Sequence, residues 1–286
     1  MLQRQFDAVD WLPLVAQWKV SFTFSAPTPI RRITQLPDEQ FQRYSTMSMR
    51  IMVANATPWT YALKLVYLER FPEFSLFEVY GSTELGVNTI LKPEFQRPKP
   101  GSCGQPAPGV EIRLYAEDGH VVTTPREPGE LFVRSASVFA TYHKAHEKYL
   151  ADQREGWQNV GDVAFFDEED FYYICDRKKD MIISGGVNIY PAEIEAALDL
   201  HADVLEAAVF GVPSEEWGES VHAVVVRRAA SALDQAAIQT WVRERLAGYK
   251  VPRSVSFVPE LPKTGSGKVL KRALRDSYWQ GRASRV

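Results

Sequence analysis

Residues 176–191 constrain this chain most. They read Asp-Arg-Lys-Lys-Asp, then Met-Ile-Ile, then Ser-Gly-Gly-Val-Asn-Ile-Tyr-Pro. An unbroken charged run stays in solvent, the apolar triplet behind it makes a short buried strand, and Gly185-Gly186 mark backbone that must approach something closely. The plainer alternative is a surface loop entering a strand. Either way the stretch joins two halves with different patterning.

The half before it begins with strand–helix–strand alternation. Residues 11–19 read as a helix with Asp10 as N-cap and Pro13 in the first turn, and Val20–Phe24 as a strand. A short helix around Ile30–Gln35 and a buried strand at Arg50–Ala54 follow. Thr57-Pro58 is a helix start running to Phe71, and Ser75–Tyr80 is a strand. This alternation predicts a partial parallel α/β layer, with ligands gathering at the carboxyl ends of its strands. After Gly86 prolines and glycines become frequent. Glu111–Tyr115 and Val121–Thr123 flank Asp118-Gly119, a hairpin signal, and Leu131–Arg134 is a further strand. A small distorted antiparallel β-barrel is expected over about 100–175.

Beyond 176 an α+β domain is expected. Its strands are Met181–Ser184, Leu205–Phe210, Val221–Arg227 and Ser254–Val258; its helices open at Pro191, Asp234 and Val269. The predicted domains are thus 1–175 and 176–286, with neither internal repeats nor low-complexity segments.

Composition narrows the function classes. The 286 residues carry 33 basic and 36 acidic side chains, a net charge of −3, and no basic stripe of the kind nucleic acid needs. Cys103 and Cys175 lack metal-ligand spacing, which fits a reducing compartment. No apolar run reaches membrane-spanning length, and the first ten residues, with Arg4, Asp7 and Asp10, lack a signal-peptide core. The expectation is cytoplasmic. The five histidines (His120, His143, His146, His201, His222) are scattered without metal spacing and read as surface or core residues.

Three constellations carry chemistry. Tyr80-Gly81-Ser82-Thr83-Glu84 follows a strand; such a turn can present a hydroxyl and a carboxylate to a phosphate and its metal, with an aromatic to stack on a base, or it is a strand-to-loop turn with a solvated Glu. In Gly156–Asp162, a short carboxylate after glycine can hold both ribose hydroxyls, or Asp162 is a β-turn residue. Pro262-Lys263-Thr264-Gly265-Ser266-Gly267-Lys268 is not a P-loop, because Pro262 and Val269 stand where that motif needs Gly and Ser or Thr. It delivers one lysine, either solvated or placed to neutralise charge on a phosphoryl oxygen.

In order and spacing, Tyr80–Glu84, Gly161-Asp162, Asp176–Pro191 and Pro262–Lys268 together resemble the adenylate-forming superfamily, and most of all its fatty-acid and related acid–CoA ligases. The resemblance runs over essentially the whole chain. It implies a two-step reaction in which ATP and a carboxylic acid give acyl-AMP, and CoA then displaces AMP. It implies that Tyr80 stacks on adenine, with Gly81 in the same turn. It likewise makes Thr83 an α-phosphate contact, Glu84 a Mg²⁺ ligand, Asp162 and Arg177 ribose contacts and Lys268 the adenylation lysine. Lys179 falls at the hinge about which the small C-terminal domain rotates, and Gly185 and Gly186 at the pantetheine channel.

The chain also departs from that family. The Ser/Thr/Gly-rich phosphate loop ending in Pro-Lys has no counterpart in residues 1–79, so residue 1 matches a point about half-way along the large domain. Asn55-Ala56-Thr57 replaces a glycine-rich turn and Val160 replaces a Thr. The chain is therefore expected to be impaired unless a partner chain supplies the missing half, and to expose apolar surface where that half would pack. The other readings are a non-catalytic remnant that binds nucleotide, CoA or a partner, and one half of a split ligase.

Overall fold

Asp7 starts the first helix. Its carboxylate accepts from the amides of Val9 (2.7 Å) and Asp10 (3.3 Å) and satisfies two donors that α1 (Ala8–Trp18) leaves open. The cap is Asp7 rather than Asp10, the helix begins earlier than expected, and Pro13 falls in its second turn. The computed structural model describes residues 6–55, 59–229, 231–264 and 268–280. The chain divides into two units, 1–174 and 175–286.

In the first unit β1 (Phe22–Ser25), α2 (Pro27–Thr34), α3 (Asp38–Arg43), β2 (Ile51–Ala54), α4 (Tyr61–Arg70) and β3 (Leu76–Ser82) follow α1. Helix α3 buries no residue, so it has no periodic apolar face to announce it in sequence. Thr60 caps α4, its hydroxyl accepting from the Leu63 amide at 3.3 Å; the expected start at Thr57-Pro58 lies outside the described residues. Strands β1, β2 and β3 run parallel, with Phe22 opposite Ile51 and Met52 opposite Leu76.

Met52, Ala54 and Leu76 pack with Leu12 and Val15 of α1, Ile30 and Ile33 of α2, and Leu63, Tyr67 and Leu68 of α4. In the same region Lys64 of α4 pairs with Glu78 of β3 with almost no solvent access. The alternate positions of β1 and the first of β2 are exposed. Phe22 (59%), Phe24 (58%) and Ile51 (39%) form an exposed apolar stripe, whereas parallel sheets are normally covered on both faces.

Two further strands, β4 (Gly86–Leu91) and β5 (Gln105–Pro106), add to β3 in antiparallel fashion. The second sheet contains β6 (Glu111–Tyr115), β7 (Gly129–Arg134), β8 (Gln153–Arg154), β9 (Trp157–Phe166) and β10 (Tyr172–Arg177), with α5 (His146–Ala151) between β7 and β8. Its order is β10-β9-β7-β6, with β8 also on β9. Among the described residues it is an open antiparallel sheet ending at β6 and β10, where a distorted barrel was expected. Leu85, Leu114, Leu131, Val133 and Ala164 form its core. Asp118-Gly119 makes its turn, with Gly119 at φ +89°. The returning arm is a single bridge from Tyr115 to Val121 rather than a strand, and Pro125 stands just beyond it.

The second unit holds β11 (Ile182–Ser184), β12 (Val187–Ile189), α6 (Pro191–Asp199), β13 (Val204–Ser214), β14 (Gly218–Arg227), α7 (Gln235–Arg243), β15 (Ser254–Phe257) and α8 (Lys271–Trp279). The sheet order is β12-β11-β14-β13, with β15 parallel to β14. Period-2 alternation along β14 buries both faces. Val221, Ala223 and Val225 pack with Ile194 and Leu198 of α6 and Ile238 and Val242 of α7. Val224 and Val226 pack with Phe210 of β13, Leu261 and Leu274 of α8. Strand β12 is an addition to the sequence reading. Gly185 (φ +58°) and Gly186 (φ +80°) form a two-residue turn that pairs Ser184 with Val187, and such a turn needs positive φ at both positions. Among the described residues no helix is long and apolar enough to cross a membrane.

Candidate functional site

In the first unit the tyrosine and the aspartate of two separate motifs meet. The Tyr80 hydroxyl of β3 donates to Oδ2 of Asp162 on β9 at 2.6 Å, the length of a charge-assisted bond. The Tyr80 ring packs on the core of the antiparallel sheet, and Asp162 is buried. Asp162 lies inside a strand rather than in a turn. Gly161, at φ +78°, lets β9 bulge where its pairing with β7 shifts between Glu130 and Phe132, and a bulge re-aims the side chain beside it.

Gly81 is held to glycine by contact: a Cβ there would lie 2.0 Å from the Gly86 carbonyl oxygen. The turn from β3 to β4 is closed by the Leu85 amide on the Ser82 hydroxyl at 3.1 Å. It leaves Thr83 exposed and Glu84 half-buried. Tyr142 donates its hydroxyl to Glu84 Oε1 at 3.0 Å, and the Phe139 amide donates to the Glu84 carbonyl at 2.8 Å. Burial pushes the Glu84 carboxyl up, but its own amide, the Tyr142 and Ser82 hydroxyls and the charge of Lys148 outweigh that and hold it below the usual carboxylate range. Tyr142 and Lys148 were not found from sequence. Tyr142 sits 58 residues from Glu84, in an irregular segment without periodic signal.

In the second unit Asp176 organises the charged run. Its Oδ1 accepts from the Arg177 amide at 2.7 Å, and its Oδ2 from the Ala192 amide, at the start of α6, at 2.9 Å. The Arg177 carbonyl accepts from the amides of Asp180 (2.9 Å) and Met181 (3.1 Å). This tight turn exposes Lys178 and Lys179. The close approach expected at the glycine pair is real at Gly185, where a Cβ would lie 2.7 Å from the Trp217 ring and the amide donates to the Trp217 carbonyl at 2.8 Å. Nothing lies within 4 Å of a Cβ at Gly186, so only its φ demands glycine. Arg253 stacks on Trp217, 4.6 Å from the ring centre, a second feature missed in the sequence.

Lys268 is exposed at the end of a closed neck. The Thr264 amide donates to the Lys268 carbonyl at 2.8 Å, the Lys268 amide to the Thr264 hydroxyl at 3.1 Å, and Lys263 bridges to Val269. Gly265-Ser266-Gly267 lie outside the described residues. Tyr80, Gly81, Thr83, Glu84 and Asp162 thus belong to the first unit, and Arg177, Lys179, Gly185, Gly186 and Lys268 to the second. Among the described residues no group of three or more His, Cys, Asp or Glu could hold a metal ion.

The AMP-binding enzyme family model matches residues 1–143, and that of the AMP-binding enzyme C-terminal domain matches residues 193–268. The chain belongs to the AMP-binding enzymes of the adenylate-forming superfamily and is acyl-CoA-synthetase-like. It is 36% identical to a long-chain-fatty-acid–CoA ligase of Bacillus subtilis, over 96% of this chain and 48% of that protein. It is 38% identical to a feruloyl-CoA synthase of an Amycolatopsis species, over 97% and 56%. Among solved structures, ATP-bound MatB from Rhodopseudomonas palustris superposes with a TM-score of 0.88 at 32% identity, covering 98% of this chain and 55% of that one. The amide bond synthetase McbA from Marinactinospora thermotolerans superposes with a TM-score of 0.89 at 29% identity, covering 97% and 57%. The chain spans about half the length of the relatives it matches.

Proposed function

We propose that this chain is the nucleotide- and thiol-handling part of an AMP-forming acid–CoA ligase whose acid is a fatty acid or a related carboxylic acid. The observation that carries the reading is the 2.6 Å bond between Tyr80 and Asp162. It brings a tyrosine ring and a carboxylate together beside the turn bearing Thr83 and Glu84, which supports a nucleotide-binding reading. The acyl- and aryl-CoA ligases among its relatives support the reaction class.

In this reading a carboxylate oxygen attacks the α-phosphorus of ATP and pyrophosphate leaves; CoA thiolate then attacks the acyl carbonyl and AMP leaves. Tyr80 stacks on the adenine, and Gly81 keeps the turn close. Thr83 donates to the α-phosphate, and Asp162 and Arg177 accept and donate at the ribose hydroxyls. Lys268 offsets negative charge as pyrophosphate departs. Lys179 is the pivot between half-reactions, and the Gly185-Gly186 turn borders the pantetheine arm, with open space at Gly186. Glu84, ionised at neutral pH, suits Mg²⁺, which binds through one or two carboxylates together with substrate phosphates. Glu84 would hold the ion, which would supply positive charge to the phosphates.

The exposed stripe of Phe22, Phe24 and Ile51 is the surface on which the polypeptide equivalent to the other half of the relatives packs, in the same chain or as a partner. ATP–pyrophosphate exchange with a panel of fatty and aromatic acids tests both statements. Exchange is expected only when that polypeptide is present, and Lys268→Ala is expected to lower it about 10²–10³-fold. No exchange with any acid in the reassembled protein would sink the ligase reading. Full exchange by residues 1–286 alone would sink the need for the other half.

A further inference from the structure

One arm of the first unit carries positive charge beside the Thr83-Glu84 turn and has no part in the roles given above. Residues 141–148 read Thr-Tyr-His-Lys-Ala-His-Glu-Lys, so His143, Lys144, His146 and Lys148 stand against a single acid, Glu147. All four are exposed. The arm is fastened on both sides. Before it, the Phe139 amide donates to the Glu84 carbonyl at 2.8 Å, and the Phe139 ring meets the rings of Tyr142 (4.7 Å) and Tyr149 (5.2 Å) edge-on. After it, the Gln153 side-chain amide donates to the Tyr149 hydroxyl at 3.1 Å and that of Gln158 to the Tyr149 carbonyl at 3.4 Å. The Asn159 amide donates to the Asp152 carbonyl at 3.0 Å. These bonds tie the arm to β9, the strand that carries Asp162.

Lys148 is the cation nearest the turn by contact. Its ammonium sits over the Tyr142 ring, 4.5 Å from the centre, and the Tyr142 hydroxyl donates to Glu84 Oε1 at 3.0 Å. Its charge also acts on Glu84. A cation–π contact restrains an exposed lysine without neutralising it. Among the described residues Lys148 pairs with no carboxylate, whereas Lys99, Lys250, Lys263 and Lys271 each do. An ionised carboxylate, the exposed Thr83 hydroxyl and an unpaired ammonium therefore share one turn. That set suits a metal-chelated polyphosphate: the carboxylate takes the metal, and the hydroxyl and the ammonium take phosphate oxygens.

We propose that the 141–148 arm is a polyphosphate-binding element of the site, with Lys148 donating to the outer phosphates and Tyr142 positioning Glu84. The proposal rests on the nucleotide reading given above to Thr83 and Glu84. It adds a contact on this chain for the phosphates that leave as pyrophosphate, in a chain whose residues 1–79 hold no phosphate loop. Tyr142 links the two functions, because one face of its ring holds the ammonium and its hydroxyl holds the carboxylate.

Titration calorimetry of the full chain with inorganic tripolyphosphate and Mg²⁺ tests this. The probe carries neither adenosine nor acid, so its failure is distinct from failure of the ligase reading, which the exchange assay decides. Wild type is expected to bind, and Lys148→Met to bind about tenfold more weakly, because a charged hydrogen bond is lost. Lys148→Arg is expected to regain most of the affinity, and Lys92→Met, outside the arm, to lose little. Tyr142→Phe keeps the ring under Lys148 and is expected to raise the Mg²⁺ concentration for half-maximal binding about threefold. No binding by wild type, equal losses in Lys148→Met and Lys92→Met, or no recovery in Lys148→Arg would overturn the proposal. An unchanged Mg²⁺ requirement in Tyr142→Phe would overturn the positioning role of Tyr142.

Discussion

The two sheets that carry the proposed site differ in how they are covered. In the second unit β14 is packed on both faces, by α6 and α7 on one side and by α8 with Leu261 on the other. In the first unit β1 and β2 bury Met52 and Ala54 against helices but present Phe22, Phe24 and Ile51 to solvent. The ion pairs follow the opposite pattern. Lys64 and Glu78 lie deep in the first unit, at 1% and 12% side-chain exposure, whereas Lys271 and Glu195 in the second remain at 22% and 21%. The first unit thus joins an uncovered apolar face to a buried charge pair behind the strand that leads to Tyr80. The second is closed by its own helices.

The largest expected effect tests the buried pair. Lys64→Ala leaves Glu78 without its cation in a place where burial already pushes that carboxyl up, with the Lys64 charge and the Trp59 amide only partly opposing. A loss of about 3–5 kcal/mol in urea denaturation is expected. The double change Lys64→Met with Glu78→Leu is expected to cost much less. Equal losses would show that packing, not charge, holds the site.

A smaller effect belongs to the second unit. Burial pushes His222 down to about 4 from 6.5, and its ring nitrogens meet Ser254 Oγ at 2.7 Å and the Tyr278 hydroxyl at 3.1 Å. The folded pKa lies below the unfolded one, so the unfolded state binds more protons between them. This contribution is complete above pH 6.5 and is lost as pH falls toward 4, by about 2 kcal/mol at pH 5. Denaturation of wild type and His222→Gln at pH 7 and pH 5 measures it. An equal pH response in the two proteins would remove His222 as the cause.

The smallest effect tests the bare face. Phe24→Asp is expected to change stability by less than about 0.5 kcal/mol, since it alters an exposed position. It should nevertheless lower dye binding to apolar surface and self-association in sedimentation velocity. A large stability loss would mean that Phe24 is already covered, and the contrast between the sheets would fall.

Much of the second unit was legible because its signals are local. Asp234 caps α7 through the Ala237 amide at 2.8 Å, and Ile238 and Val242 recur at helical spacing. Strand β12 was missed because a glycine pair read as a site of close approach also serves as a two-residue turn, and the chain before and after it pairs. Strand β4 was missed because Gly86 looked like the start of irregular chain, although its φ of +72° simply completes the turn from Ser82. The turn alternative for Asp162 arose because Gly161 precedes it, and a bulge inside a long strand uses the same residue for the same dihedral reason.

The proposed site divides along the same line. Contiguous motifs, read through their resemblance to the adenylate-forming superfamily, were enough to single out Tyr80, Gly81, Thr83, Glu84, Asp162, Arg177, Lys179, Gly185, Gly186 and Lys268 as candidates. Spacing could not say that Tyr80 donates to Asp162 across 82 residues, that Tyr142 and Lys148 help keep Glu84 ionised, or that Trp217 explains Gly185. Those facts depend on which strands lie side by side and where a bulge falls. Distance between segments far apart in the chain has no local signature, so packing had to supply it.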